Sequence, residues 1–379
     1  MDGKTRLRSG PPPGLRSSSP SSVVREVFRE PVDDLHGRGD PVRERPEGDL
    51  HRTVLITKKL SEIRGAVHRE RKTLIRGRIW RILRLIRMRF LLKNIKTGLD
   101  GFRILGRLHG QIQSHPDKHL VLDLTGVTFI EAIMCAALAV VLEPYRARGG
   151  QVTPIGLCAE VETVFQRNGF FRQFELRDGH VPDFYGTTIE HRRFACSDHE
   201  NFGQYVEQHF RGKGLPEMSP ALARKFRESI HELFENAAHH SEAELGIFAC
   251  GQQFPKTNRL KFSIADAGIG FSGSIRRRLG REMSPGRAIQ WAVEGNTTRM
   301  VRDRRPGGLG LQIIREFIRL NRGCVLIASQ SGYWFENAGR RTLRELSFPF
   351  PGSVVTIDID TADANSYDLA SDIDPETIF

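Results

Sequence analysis

Glu232 and Asn236 are four residues apart in a stretch whose apolar residues Ala223, Phe226, Ile230, Leu233, Phe234 and Ala237 recur at helical spacing. On a helix that separation stacks a carboxylate and an amide on one face. A metal-bound triphosphate needs an oxygen ligand for Mg2+ and a group that orients the attacking nucleophile, and Glu and Asn can supply both. Alone, the pair would serve equally well as a solvated helix face. Further on, Arg259 to Ala265 alternates like a strand and delivers Asp266-Ala267-Gly268-Ile269-Gly270. An aspartate leaving a strand can accept a hydrogen bond from an exocyclic amine, and glycines beside it permit close backbone approach; a simple tight turn has the same composition. Third, Gly307-Gly308-Leu309-Gly310 stands directly before the apolar run Leu311 to Ile318. A glycine loop opening a helix aims unpaired N–H groups and the positive helix end at an anion, and phosphate is its natural ligand.

These groups need elements to hold them. The first pair sits on a helix expected from Ser219 to His240, with Ser219 as its cap. Upstream, His119 to Leu124 reads as a buried strand, Ala132 to Arg148 as a helix, Gln151 to Gly156 as a second strand and Glu160 to Asn168 as a second helix. That alternation makes a small α/β unit with a parallel strand pair. Residues 177–216 read as a linker with connecting elements. His231, His239 and His240 suggest a metal, but position 235 is Glu where an H-E-x-x-H site needs its second His, so they are assigned to the helix surface.

Charge is local. Residues 1–100 carry 24 Lys/Arg against 12 Asp/Glu, which accounts for the whole +12 excess of the chain. Residues 1–50, with Pro11-Pro12-Pro13 and a serine cluster, are expected to be disordered. Residues 51–94 read as a basic amphipathic helical segment. Across residues 69–96, Ile75, Ile79, Ile82, Leu83, Ile86 and Phe90 share a face and Arg78, Arg81, Arg84 and Arg87 lie mainly off it. Such a helix can meet an anionic membrane or nucleic acid phosphates; a helix docked on the next domain with a solvated Arg face is the favoured reading. Residues 361–379 form an acidic tail. Five scattered cysteines without a CxxC pair give neither a disulfide framework nor a zinc ribbon, and no run of about 18 apolar residues is long enough to span a bilayer. A cytoplasmic protein is expected.

The words VLDLTGVTFIEAIMCAALAVVLEPYRARGGQVTPIG resemble the STAS domain of anti-sigma-factor antagonists and sulfate-transporter tails, over residues 95–176. In the regulatory members a phosphorylated serine follows the acidic residue; here Glu131 is followed by Ala132, Ile133 and Met134, so the acceptor hydroxyl is missing.

From 217 to 360, the order and spacing of the three motifs resemble the N, G1 and G2 boxes of the GHKL ATP-binding domain shared by gyrase, heat-shock chaperones, histidine kinases and MutL, nearest to the anti-sigma-factor serine kinases. The resemblance implies an α/β two-domain protein, a STAS-like α/β unit followed by the α/β sandwich of the Bergerat fold. It implies ATP and Mg2+ as cofactors, with Glu232 catalytic, Asn236 on Mg2+, and Asp266 receiving the adenine amine in a pocket shaped by Gly268 and Gly270. Gly308 and Gly310 would meet the phosphates. A lid would lie between Met283 and Pro306, with Thr298 and the Arg302 to Arg305 cluster near the γ-phosphate. Phe350 to Ile357 resembles the family's last strand, where Ser353 keeps the hydroxyl that supports the aspartate. The function implied is an ATP-binding regulator, a protein serine/threonine kinase or weak ATPase in partner switching. The alternative is an ATP-gated clamp or binding module without phosphotransfer. Either would work with a protein partner, and a homodimer is among the expectations. A sensor histidine kinase would need a helical hairpin where the STAS-like unit stands.

Overall fold

The computed structural model describes residues 88–115, 118–176, 179, 181–296 and 309–367, all within one compact unit. Met88–Leu91 is a strand, β1, inside the segment read as an amphipathic helix, so Phe90 belongs to a sheet and not to a helical face; the other apolar residues of that face lie outside the described residues. Met88 and Phe90 are buried while Arg89 and Leu91 are not, the period of two that a half-buried strand requires. The mixture of isoleucine and arginine satisfied a helical wheel equally well. Pairing with a neighbouring strand decides the matter.

β1 pairs in parallel with β2 (His119–Asp123), and β2 with β3 (Gln151–Ile155), giving a three-stranded parallel sheet in the order β1-β2-β3. Between β1 and β2 runs α1 (Leu99–Ser114), whose Phe102, Leu105, Leu108 and Ile112 are buried at helical spacing. α2 (Met134–Ala147) follows β2; α3 (Ala159–Arg167) and the single turn α4 (Phe170–Gln173) follow β3.

The second sheet has five antiparallel strands in the order β4-β5-β6-β8-β7: β4 (Thr188–Phe194), β5 (Ile247–Phe254), β6 (Arg259–Asp266), β7 (Cys324–Asn337) and β8 (Arg340–Asp360). The stretch 177–216 supplies β4 to this sheet and carries α5 (His199–Phe210). The remaining helices are α6 (Pro220–His240), α7 (Gly270–Leu279), α8 (Pro285–Val293) and α9 (Leu309–Leu320). β7 and β8 make a long hairpin closed by Ala338 and Gly339, both at positive φ, as a two-residue hairpin turn demands.

The sheet is buried on both faces, and its alternation divides two cores. Leu260, Phe262 and Ile264 of β6 join Phe226, Ile230 and Phe234 of α6 and Ile314 and Phe317 of α9. Phe248, Cys250, Ala265, Ala328 and Val354 face the other way and share a core with α1, α2 and the parallel sheet. α2 is therefore apolar all round: it packs on β3 on one side and on β5, β6 and β8 on the other. A polar link reinforces this face. Lys261 Nζ lies 2.5 Å from Glu131 Oε1, Glu131 Oε2 accepts from Thr97 N, and Glu131 is buried. The position where the resemblance placed a phosphoacceptor therefore lies against the neighbouring sheet. Among the described residues no helix is long and apolar enough to cross a membrane.

Candidate functional site

α6 starts where Ser219 Oγ accepts from Leu222 N at 3.2 Å and Pro220 occupies the first helical position, which needs no amide donor. Its apolar residues Phe226, Ile230, Leu233, Phe234 and Ala237 are buried against the sheet, which fixes its rotation. Glu232 and Asn236 are therefore held half-buried beside that face. Glu232 Oε2 accepts from the backbone N of Gly310, in the first turn of α9, at 2.7 Å. A carboxylate thus sits where the positive end of a helix favours an anion. The approach is close: a Cβ on Gly310 would lie 2.5 Å from the same oxygen.

Asp266 ends β6 and is 5% exposed. Its Oδ1 accepts from Gly268 N at 2.9 Å. Burial pushes its carboxyl up to about 7, against the lowering effect of the Gly268 amide and the Ser241 hydroxyl. Ser241, just past the end of α6, also receives Ile269 N on its carbonyl at 2.7 Å, and a Cβ on Gly268 would collide with that carbonyl. Glycine is thus required at 268 by space.

Ser353 is opposite Asp266 in the β6–β8 register and opposite Ser329 in the β7–β8 register. Its hydroxyl lies 3.1 Å from Ser329 Oγ, which in turn accepts from Phe271 N at 3.2 Å. Beyond Ser329 the β7–β8 register shifts, and Gln330 Nε2 donates to Ile269 O at 3.0 Å while its Oε1 accepts from the Ser272 hydroxyl. The irregular part of the hairpin thereby holds the turn after Asp266 and the start of α7.

These elements surround an open cavity. Asn236, Asp266, Gly270 and Ser353 line it together with the apolar side chains of Leu233, Ile264, Ile275, Trp291, Leu311 and Val355. Asn296, whose Nδ2 donates to Trp291 O at 2.8 Å, stands at the same wall. An apolar slot with a few convergent polar groups is the ordinary form of a small-molecule site. The cavity can take a flat apolar group that offers a donor to Asp266.

The structure therefore brings Asn236, Asp266, Gly270 and Ser353 to one cavity, places Gly268 in the turn behind Asp266, and joins Glu232 to Gly310 by a hydrogen bond. Thr298 and Gly308 lie outside the described residues, as do Arg302 to Arg305. Of the segment read as a lid, Pro285 to Val293 is a helix packed on β7 through Ala288, Ile289 and Val293. Sequence reasoning missed Ser241, Trp291, Ser329 and Gln330. A serine one residue beyond a helix end was a signal for Ser241; the other three are brought in only by the register of a long hairpin and by helix packing.

In comparison with known families, residues 80–181 match the STAS domain. The match takes in β1, the strand hidden in the basic segment. No curated protein matches the chain.

Proposed function

We propose that the chain is an ATP-binding regulatory protein in which a STAS domain is joined to a GHKL-type nucleotide module of the Bergerat fold. We assign it as a protein serine/threonine kinase or weak ATPase that works by partner switching. The observation that carries this reading is the convergence of Asn236, Asp266, Gly270 and Ser353 on one cavity from three widely separated parts of the chain. The buried Asp266 would accept from the adenine amine, with Trp291 and Leu233 along the base. The phosphates would extend toward Asn236 and the N-terminus of α9. The residues present fit Mg2+, because Asn236, whose amide oxygen is a ligand Mg2+ takes, lines the cavity one helical turn from Glu232; Mg2+ would neutralise charge on the terminal phosphates.

Glu232 has a definite part in this account. Its carboxylate now holds the α9 amide that an incoming phosphate needs. Nucleotide binding must therefore displace it, and once released it is one turn from Asn236, where it can orient a water or hydroxyl and take its proton. Glu232→Gln removes the competing charge, so it should bind ATP a few-fold more tightly while phosphate release falls by about 100-fold or more. The comparison is nucleotide titration beside phosphate release for both proteins. Weaker binding with turnover intact would overturn the role given to Glu232.

The burial of α2 between the parallel sheet and the five-stranded sheet favours a particular form of regulation. The STAS domain acts within its own chain, bearing on the back of the nucleotide module, and an external partner would bind elsewhere.

A further inference from the structure

Beside Glu232 and Asn236, α6 presents a different group of side chains to α5. His231, Glu235 and His239 follow one another at single-turn spacing along α6, and His199, the first residue of α5, stands over them. His199 Nδ1 lies 2.9 Å from Glu235 Oε1, yet it is buried without a hydrogen bond, so the approach has the distance of one but not the direction. His231 Nδ1 is 3.7 Å from the same carboxylate oxygen.

The ring of His231 is oriented from behind: its Nε2 lies 3.0 Å from the carbonyl oxygen of His199. A carbonyl only accepts, so Nε2 donates to it, and Nδ1 is the ring atom turned toward Glu235. The Nδ1 atoms of His231 and His199 and the Glu235 carboxylate converge on one point between the two helices. One ligand atom from each of His199, His231 and Glu235 lies within 4.8 Å of the others. Zinc bonds of about 2.0–2.1 Å set the edge of a ligand tetrahedron at about 3.4 Å, and the two nitrogen–oxygen distances straddle it. A histidine that gives its second N–H to a backbone carbonyl is the usual arrangement behind a metal.

We propose that His199, His231 and Glu235 bind a divalent transition metal, zinc by ligand type, with water in the fourth position. His239 Nε2, 3.2 Å from Glu235 Oε2, orients the carboxylate. The metal would join the start of α5 to the second half of α6. It is separate from the Mg2+ assigned to Asn236 and stands whether or not the cavity binds nucleotide. Reading H-E-x-x-H along the sequence misses it because the second histidine comes from another helix.

The test uses tag-free full chain, stripped with a chelator and titrated with Co2+ and then Zn2+. One Co2+ per chain with the visible bands of tetrahedral cobalt, displaced by Zn2+, is expected. Glu235→Gln and His199→Ala should each weaken Zn2+ binding by more than about 10-fold, with the metal-free circular dichroism of both unchanged. A wild-type chain that shows no tetrahedral cobalt spectrum overturns the proposal regardless of how the variants fold. So do two folded variants that bind Zn2+ as the wild type does.

Discussion

Asp266→Asn should make the protein more stable at alkaline pH and at the same time weaken its hold on an adenine nucleotide. In the native state the carboxyl of Asp266 is pushed from the ordinary 3.8 up to about 7 because it is buried. Between those values the native protein keeps a proton that the unfolded chain has released. Stability therefore falls as pH rises through this window, and the contribution is lost above about 7. At 1.36 kcal/mol per pKa unit, the change between pH 5 and pH 8 comes to about 3 kcal/mol. An amide does not ionise, so the variant lacks this slope. Its oxygen can still accept from Gly268 N, now 2.9 Å from Oδ1; that turns the NH2 group toward the cavity, donor against the donor of the adenine amine. Loss of a hydrogen bond to a charged acceptor costs about 1.5–3 kcal/mol, a factor of roughly 10–150 in Kd. Urea unfolding at pH 5 and pH 8, beside titration with a fluorescent adenine nucleotide, measures both effects. Equal pH slopes for the two proteins would refute the buried-carboxylate argument, and equal nucleotide affinities would refute the role of Asp266.

Gly268→Ala puts a methyl group against the Ser241 carbonyl and should cost about 1–3 kcal/mol, read from thermal unfolding, with nucleotide affinity falling as the turn moves. Lys261→Ala strips the partner from the buried Glu131 and should destabilise by about 3–5 kcal/mol in urea; adding Glu131→Gln should recover much of it, because the uncompensated charge is gone. No recovery in the double variant would mean that the Lys261 stem, not the charge pair, holds that face.

Local pattern made the long helix and the buried strands legible. The spacing of Phe226, Ile230, Leu233 and Phe234, capped by Ser219, fixed both the extent and the buried face of α6. Strands β2 and β3 followed from short apolar runs, and β6 from its alternation. β1 was misread because four residues of alternating Met, Arg, Phe and Leu inside an Arg-rich stretch fit a helical wheel, and only its pairing with β2 reveals the strand. β4 and α5 were hidden in a stretch read as connecting chain, since an edge strand of mixed polarity has no clear period. In the site, the motif residues were visible because three short patterns, each ambiguous alone, stand in one order and spacing along the chain. Ser329 and Gln330 were not, because a register shift in a long hairpin depends on pairing far along the chain. The cluster of His199 with His231 and Glu235 depends in the same way on the packing of α5 against α6.

ATP in the cavity beneath α6 is the proposal on which the rest depends. Calorimetric titration of the full-length protein with a non-hydrolysable ATP analogue and Mg2+, repeated with the guanine counterpart, tests it most directly. Saturable one-site binding of the adenine compound is expected, with little heat from guanine, whose carbonyl would face the Asp266 carboxylate. No saturable binding of the adenine analogue, or equal binding of both, would contradict it.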